Sequence, residues 1–160
     1  MSTYTRKLLT LMFIREGEKI LLGYKKRGFG QGRWNGFGGK VEPGETPEQA
    51  AIRETKEEAG VDLSVGAVEK VGELEFTFEG EDILMHVMVY ASGSYQGTPA
   101  ESEEMRPSWF PVSSLPFAQM WPDDRFWFPL LLRGTKFRGA FHFRGHDEIL
   151  SQKLEEVEGF

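Results

Sequence analysis

No cysteine occurs anywhere in the 160 residues, which removes disulfide scaffolds, thiolate zinc sites and cysteine nucleophiles from consideration. Histidine is scarce: His86, His142 and His146 are scattered, without a carboxylate or histidine partner at metal spacing, and read as structural or exposed. Long apolar runs are missing. The longest, "FWFPLLL" at 126–132, falls far short of the ~20 residues that span a bilayer, and the N-terminus lacks an apolar signal core. Positive charge is in deficit. A net charge of −6 opposes tight binding to a long phosphate backbone, whose affinity comes from Lys and Arg. Neither a nucleic-acid polymer nor a membrane is an expected partner. A small anionic ligand remains compatible, because a bound divalent cation supplies positive charge locally.

What is present reads as one domain, 1–160, with no internal repeat, low-complexity tract or linker. "LLTLMFI" and "KILLGYKK" flank a turn at Gly17 as a β-hairpin. "RGFGQGRWNGFGGKVEPGE" then carries seven glycines, a loop suited to close backbone approach. Thr46 as N-cap, Pro47 at the first helical position and Gln49 form a capping-box pattern, and Gly60 supplies the stop. "KVGELEFTFEG", "ILMHVMVYA", "SWFPV" and "KFRGAFHFRG" read as strands, and "DDRFWFPLLL" as a short helix. "EILSQKLEEV" fits a helical stripe or a closing strand. Strands on both sides of a central helix predict a mixed α/β (α+β) sandwich, with a mixed sheet between helices.

On the predicted helix, Glu54, Glu57 and Glu58 stand at i, i+3 and i+4 and share one face. Like charges at this spacing cost only about 0.2–0.5 kcal/mol per pair, so a solvated face flanked by Arg53 and Lys56 is one explanation. The glycine-rich loop ahead of the cluster and Glu45 at the helix entry, within reach of Arg53, favour another. Carboxylate oxygens suit Mg²⁺ or Mn²⁺ with phosphate as a further ligand, the equipment of a phosphoanhydride hydrolase.

"GKVEPGETPEQAAIRETKEEAGV", Gly39 to Val61, resembles the Nudix box, G-x5-E-x7-R-E-U-x-E-E-x-G-U with U aliphatic. Gly39, Glu45, Arg53, Glu54, Glu57, Glu58, Gly60 and Val61 match, and Thr55 stands where an aliphatic residue is expected. The resemblance implies a Nudix fold and Mg²⁺-dependent hydrolysis of a nucleoside diphosphate linked to another group, with Mn²⁺ as a substitute. It places Glu54, Glu57 and Glu58 around the metal, with the Gly38 carbonyl and Glu104 of "ESEEM" as further ligands, and Glu58 or Glu54 as the base.

"LLGYKKRGFGQGRWNGFGGKV", "QGTPAESEEMRP" and "MWPDDRFWFPLLL" are similar to a narrower branch, the mammalian-type MutT homologues. That branch acts on 8-oxo-dGTP and 2-hydroxy-dATP, releasing the monophosphate and pyrophosphate and so sanitising the nucleotide pool. Trp121 is then the expected stacking surface, Asp123 and Asp124 read the purine edge, and Asn35 adds an amide. Phe29, Phe76, Phe78, Met85 and Trp127 form apolar walls, and Thr10 and Lys25 border the sugar and phosphates. Phe37, Gly38, Gly39, Lys40 and Pro122 complete the expected substrate-contacting set. Two adjacent buried aspartates raise each other's pKa, so one can keep a proton and donate while the other accepts.

Plainer roles compete. Asp123 suits a helix N-cap, Asn35-Gly36 is a common turn pair, Phe76, Phe78 and Met85 suit a core, and Lys25 suits a solvated surface. Alternatives for the whole chain are a Nudix enzyme for methylated purine triphosphates, ADP-ribose or a diphosphoinositol, or a silent nucleotide-binding module. A monomer in the cytoplasm is expected, with mitochondria and nucleus as further compartments. A presequence is disfavoured because a strand pattern starts almost at once.

Overall fold

The computed structural model describes residues 3–160. β1 (Thr5–Glu16) and β2 (Lys19–Lys25) form the expected hairpin, with Gly17 at φ 60° in its turn. β3 (Trp34–Asn35) is a two-residue strand inside the glycine-rich loop, and α1 (Pro47–Ala59) follows. β4 (Val68–Phe78), β5 (Ile83–Ser92) and β6 (Met105–Pro111) lead to α2 (Asp124–Leu132), β7 (Phe137–Arg144) and β8 (Glu148–Glu156). The eight strands make one mixed sheet in the order β3-β2-β1-β5-β4-β7-β8, with β6 paired to β2. The β1–β5 and β4–β7 pairs are parallel, and the other neighbours run antiparallel.

Strand alternation separates two cores. On β1, Phe13 joins the α2 side with Trp127, Phe128 and Phe137, while Met12 and Ile14 face the α1 side with Ala51 and Ala59. On β5, Val87 and Val89 join the first cluster, and Met88 and Tyr90 the second. The helices therefore cover opposite faces, as a sheet apolar on both sides requires. Among the described residues no helix is long and apolar enough to cross a membrane.

α1 begins with a complete capping box: the Gln49 N–H donates to Thr46 Oγ1 at 3.1 Å, and the Thr46 N–H donates to Gln49 Oε1 at 2.9 Å. It ends at Gly60, φ 75°, whose N–H donates to the Lys56 carbonyl at 3.0 Å. Thr55 is fully buried, and its hydroxyl donates to the Ala51 carbonyl one turn back at 2.7 Å. This back-bond satisfies the hydroxyl without improving the helix. Thr55→Val is therefore expected to leave turnover unchanged and to alter stability by no more than about 1 kcal/mol in either direction, read from urea unfolding midpoints. A larger destabilisation would give the hydroxyl a structural role beyond its own turn.

The C-terminal segment is the closing strand. β8 pairs with β7 from Phe137↔Glu156 to Arg144↔Glu148, and Ile149 and Leu154 pack on the α2-side core. The apolar residues that suit a helical stripe are satisfied instead by an open sheet edge, which isolated periodicity does not reveal.

Candidate active site

The turn that enters α1 is pressed against β1 so closely that side chains are excluded. A Cβ on Gly38 would stand 1.7 Å from the Thr10 carbonyl oxygen, and one on Gly39 would stand 2.7 Å from the Glu54 carboxyl carbon. The Thr10 N–H donates to the Gly39 carbonyl at 2.9 Å, fixing the turn to the strand. The Gly38 N–H is left to point at the helix, and it donates to Glu58 Oε1 at 2.8 Å.

Glu58 is 4% exposed. Burial raises its carboxyl from the usual 4.5 to about 8, against the Gly38 hydrogen bond, which favours the ionised form. Glu54 is also raised by burial, opposed by Arg53. Arg53 organises the rest: it donates two hydrogen bonds to Glu45, at 2.8 and 2.9 Å, and one each to Glu54 at 3.0 Å and the Lys40 carbonyl at 3.1 Å. Glu57, largely exposed, lies 3.3 Å from the same guanidinium. Glu45 is held well below the usual carboxylate range by the Arg53 hydrogen bonds, so it is the permanently ionised brace of Arg53.

Among the described residues, no three His, Asp or Glu side chains stand close enough to surround one ion. Glu54 and Glu57 are turned to Arg53, and Glu104 is turned to Lys25 at 3.2 Å and Arg27 at 2.8 Å. The donor chemistry nevertheless fits a hard divalent cation. Carboxylate oxygens crowd one helix face, and burial raises two of them, Glu54 against Arg53 and Glu58 against the Gly38 N–H and Lys25.

Glu58 also opens onto a cleft of about 280 Å³ lined by residues of both the α1-side and the α2-side cores. That is near the lower end of ligand-pocket sizes, about 300 Å³. Phe76 and Phe78 of β4 and Met85 of β5 line it, with Trp127 of α2. Thr10, Lys25, Asn35, Gly38, Gly39 and Lys40 lie along the wall nearer α1. Phe29 is half exposed and stacks on Trp121 with ring centroids 5.0 Å apart and planes 23° apart.

Asp123 and Asp124 line the same cleft and are almost completely buried. Asp123 occupies the N-cap position of α2 but makes no capping bond; its Oδ2 accepts from Trp127 Nε1 at 2.7 Å. Asp123 Oδ1 and Asp124 Oδ2 are buried without any hydrogen-bond partner. Burial pushes Asp123 up to about 6. It pushes Asp124 well above its usual value, helped by the neighbouring Asp123 charge. Both shifts oppose two negative charges side by side, and a proton kept by one carboxyl sets a donor beside an acceptor.

Several expected contacts lie elsewhere. Phe37 does not line the cleft: it pairs with Met12, is fully buried in the α1-side core and nearly touches Gly23, because alternation from Gly36 and Gly38 turns it through the sheet. Pro122 does not line the cleft either, since the carboxyls that follow it face inward. Asn35 lines the cleft while its Oδ1 accepts from the Gly36 N–H at 2.8 Å, so the turn contact and the wall position coexist. Residues that local motifs did not single out complete the wall: Lys7, Leu9 and Leu11, alternating on β1, Val87, Met105 and Phe143. Alternation along β1 was the one available signal for the first three; Met105 depends on β6 pairing with β2.

Comparison with known proteins supports the same architecture. The NUDIX domain model matches residues 5–131. The chain is 54% identical over 155 residues to the oxidized purine nucleoside triphosphate hydrolase of Danio rerio, covering 97% of this chain and 98% of that protein. It is 53% identical over 156 residues to the protein of the same name from Mus musculus, covering 98% and 99%. Among solved structures, the MutT protein of Bacillus halodurans superposes with a TM-score of 0.82 at 24% identity, over 93% of this chain and 97% of that one, which shows the shared fold.

Proposed function

Since the chain belongs to the Nudix family, we propose that it hydrolyses oxidised purine nucleoside triphosphates, 8-oxo-dGTP and 2-hydroxy-dATP, to the monophosphate and pyrophosphate. The observation that carries this reading is the pair of orphaned buried carboxyl oxygens, on Asp123 and Asp124, inside an aromatic cleft that also receives Glu58. A buried polar atom without a partner is costly, and in a cleft it is matched by a ligand that brings the missing donor or acceptor. A purine supplies both on its edge, and its flat face suits the ring of Trp121. The relatives' printed activity and their near-complete overlap with this chain support the same substrate class.

Each group then has a task. The base takes the place that the half-exposed Phe29 ring holds on Trp121, Asp123 accepts from its edge and Asp124 donates. Lys25 and Lys40 lie toward the phosphates, leaving the aromatic wall to the base. Glu54, Glu57 and Glu58, with the Gly38 carbonyl and Glu104, would hold Mg²⁺. Bound there, the cation would supply Lewis acidity at the phosphates and positive charge that favours the ionised forms of Glu58 and Glu54. Glu58 takes the proton from the attacking water, its second oxygen kept in place by the Gly38 N–H. Arg53, braced by Glu45, keeps the carboxylate face from spreading by charge repulsion. A monomer acting on the cytoplasmic nucleotide pool completes the proposal.

Phosphorus NMR of 8-oxo-dGTP incubated with the protein and Mg²⁺ tests the reaction directly. Pyrophosphate with the monophosphate is expected, whereas orthophosphate with the diphosphate would overturn the assignment. Trp121→Ala tests the base site. Stacking contributes about 1–3 kcal/mol per base, so KM for 8-oxo-dGTP should rise about five- to 150-fold with kcat little changed. An unchanged KM would remove Trp121 from the site.

A further inference from the structure

Arg33 stands outside the cleft, just ahead of β3, with a side chain that is 18% exposed. Its guanidinium is committed in three directions. Nη1 donates to the His146 carbonyl at 2.8 Å, Nη2 pairs with the Asp147 carboxylate, and Cζ lies over the Trp121 ring, 4.3 Å from the centroid. The first two contacts hold the β7–β8 turn against the glycine-rich loop. The third brings a cation onto the aromatic ring. A planar five-donor fork can satisfy all three at once, whereas lysine offers one point charge.

Trp121 needs such a hold, because it precedes α2 in irregular chain and no ladder of backbone bonds fixes its ring. Its setting comes from neighbours instead: Arg33, the His146 ring 5.1 Å away, and Phe143, which it meets edge-on at 6.0 Å. Gly30 beside the indole sits at φ 84°, a left-handed conformation that residues with a Cβ rarely adopt. The positive charge of Arg33 also reaches Asp123 and Asp124 and opposes the rise that burial imposes on both.

We propose that Arg33 is a positioning residue that fixes the plane of Trp121 from outside the cleft and thereby sets the preference for an oxidised over an ordinary purine. The physical link is the reach of a hydrogen bond. Generic stacking tolerates a sliding base, but edge contacts weaken steeply once donor and acceptor separate beyond about 3.2 Å. If the platform is loosened, an oxidised base loses the contacts that distinguish it while both bases keep their stacking. The inference rests on the base-stacking role proposed for Trp121.

The test measures kcat and KM of Arg33→Gln, Arg33→Lys and Trp121→Ala on 8-oxo-dGTP and dGTP. Arg33→Gln should raise KM for 8-oxo-dGTP about three- to thirtyfold with kcat nearly unchanged, and should shrink the kcat/KM ratio between the two substrates. Arg33→Lys should recover part of both, since a cation remains over the indole. If Trp121→Ala raises KM while Arg33→Gln leaves KM and the ratio untouched, the Arg33 role is overturned and the stacking site survives. If Trp121→Ala changes nothing, both fall. A fall in kcat with the substrate ratio preserved would mark Arg33 as merely structural and overturn the inference. Should Arg33→Gln not fold, Arg33→Lys decides: a raised KM with a smaller ratio supports the role, and wild-type values contradict it.

Discussion

Replacing Glu58 with glutamine should lower kcat for 8-oxo-dGTP by about a hundredfold to ten-thousandfold, the usual worth of a positioned general base, with KM changed much less. The substitution is isosteric. A glutamine oxygen can still accept from the Gly38 N–H, so the loop stays in place while proton acceptance disappears. The same variant should be more stable than the parent in metal-free protein at alkaline pH. Glu58 ionises near its ordinary 4.5 when unfolded and near 8 when folded, so the folded state binds the proton more tightly between those values. The carboxyl thus costs nothing below about pH 4.5, and its cost grows as pH rises through about 8. Glutamine removes that cost: a gain of about 2–4 kcal/mol is expected at pH 8 and none at pH 4, measured by urea unfolding with chelator. Loss of turnover combined with this pH-dependent gain identifies a functional carboxyl. Near-wild-type turnover in Glu58→Gln would transfer the role of base to Glu54.

The second large effect concerns the aspartate pair. Asp123→Asn should cut kcat/KM by about thirtyfold to a few thousandfold, because a charged acceptor facing the purine edge becomes partly a donor in a water-poor cleft. The Trp127 N–H keeps a carbonyl acceptor, so the variant should fold. Asp124→Asn puts a fixed donor where burial favours a protonated carboxyl, and should cost far less on one oxidised purine than on the other. The pH dependence has a definite sign. Asp123 is ionised above about 6, so wild-type kcat/KM should fall as pH drops below that value, and Asp123→Asn should lose that acid limb. If both variants keep the wild-type ratio of turnover on 8-oxo-dGTP and 2-hydroxy-dATP, a proton shared between the two carboxyls is not what reads the base.

The parts of this site that could be read from the sequence are those built from local spacing. The capped helix and the face shared by Glu54, Glu57 and Glu58 follow from residues within one turn of each other, and so does the stop at Gly60. Arg53 reaching Glu45, eight residues back, was legible because Glu45 sits at the helix entry. What depends on sheet order was not. Lys7 and Met105 reach one cleft only because β1 and β6 both border β2. Phe37 sits among residues that do line the cleft, yet strand alternation sends its ring to the other face. Glu104 illustrates a different gap: the family resemblance suggested a ligand there, and the folded chain pairs it with Lys25 and Arg27, which no local pattern joins to it. Asp123 holds the N-cap position that composition suggests, and the presence of Trp127 one turn on redirects its carboxylate into the cleft.

The central claim is substrate class, and one measurement addresses it most directly: kcat/KM with Mg²⁺ across 8-oxo-dGTP, 2-hydroxy-dATP, dGTP, dATP, a methylated purine triphosphate, ADP-ribose and a diphosphoinositol. The account predicts that the two oxidised purine triphosphates rank above all the others. ADP-ribose, a diphosphoinositol or an ordinary purine triphosphate at the head of that ranking would contradict it.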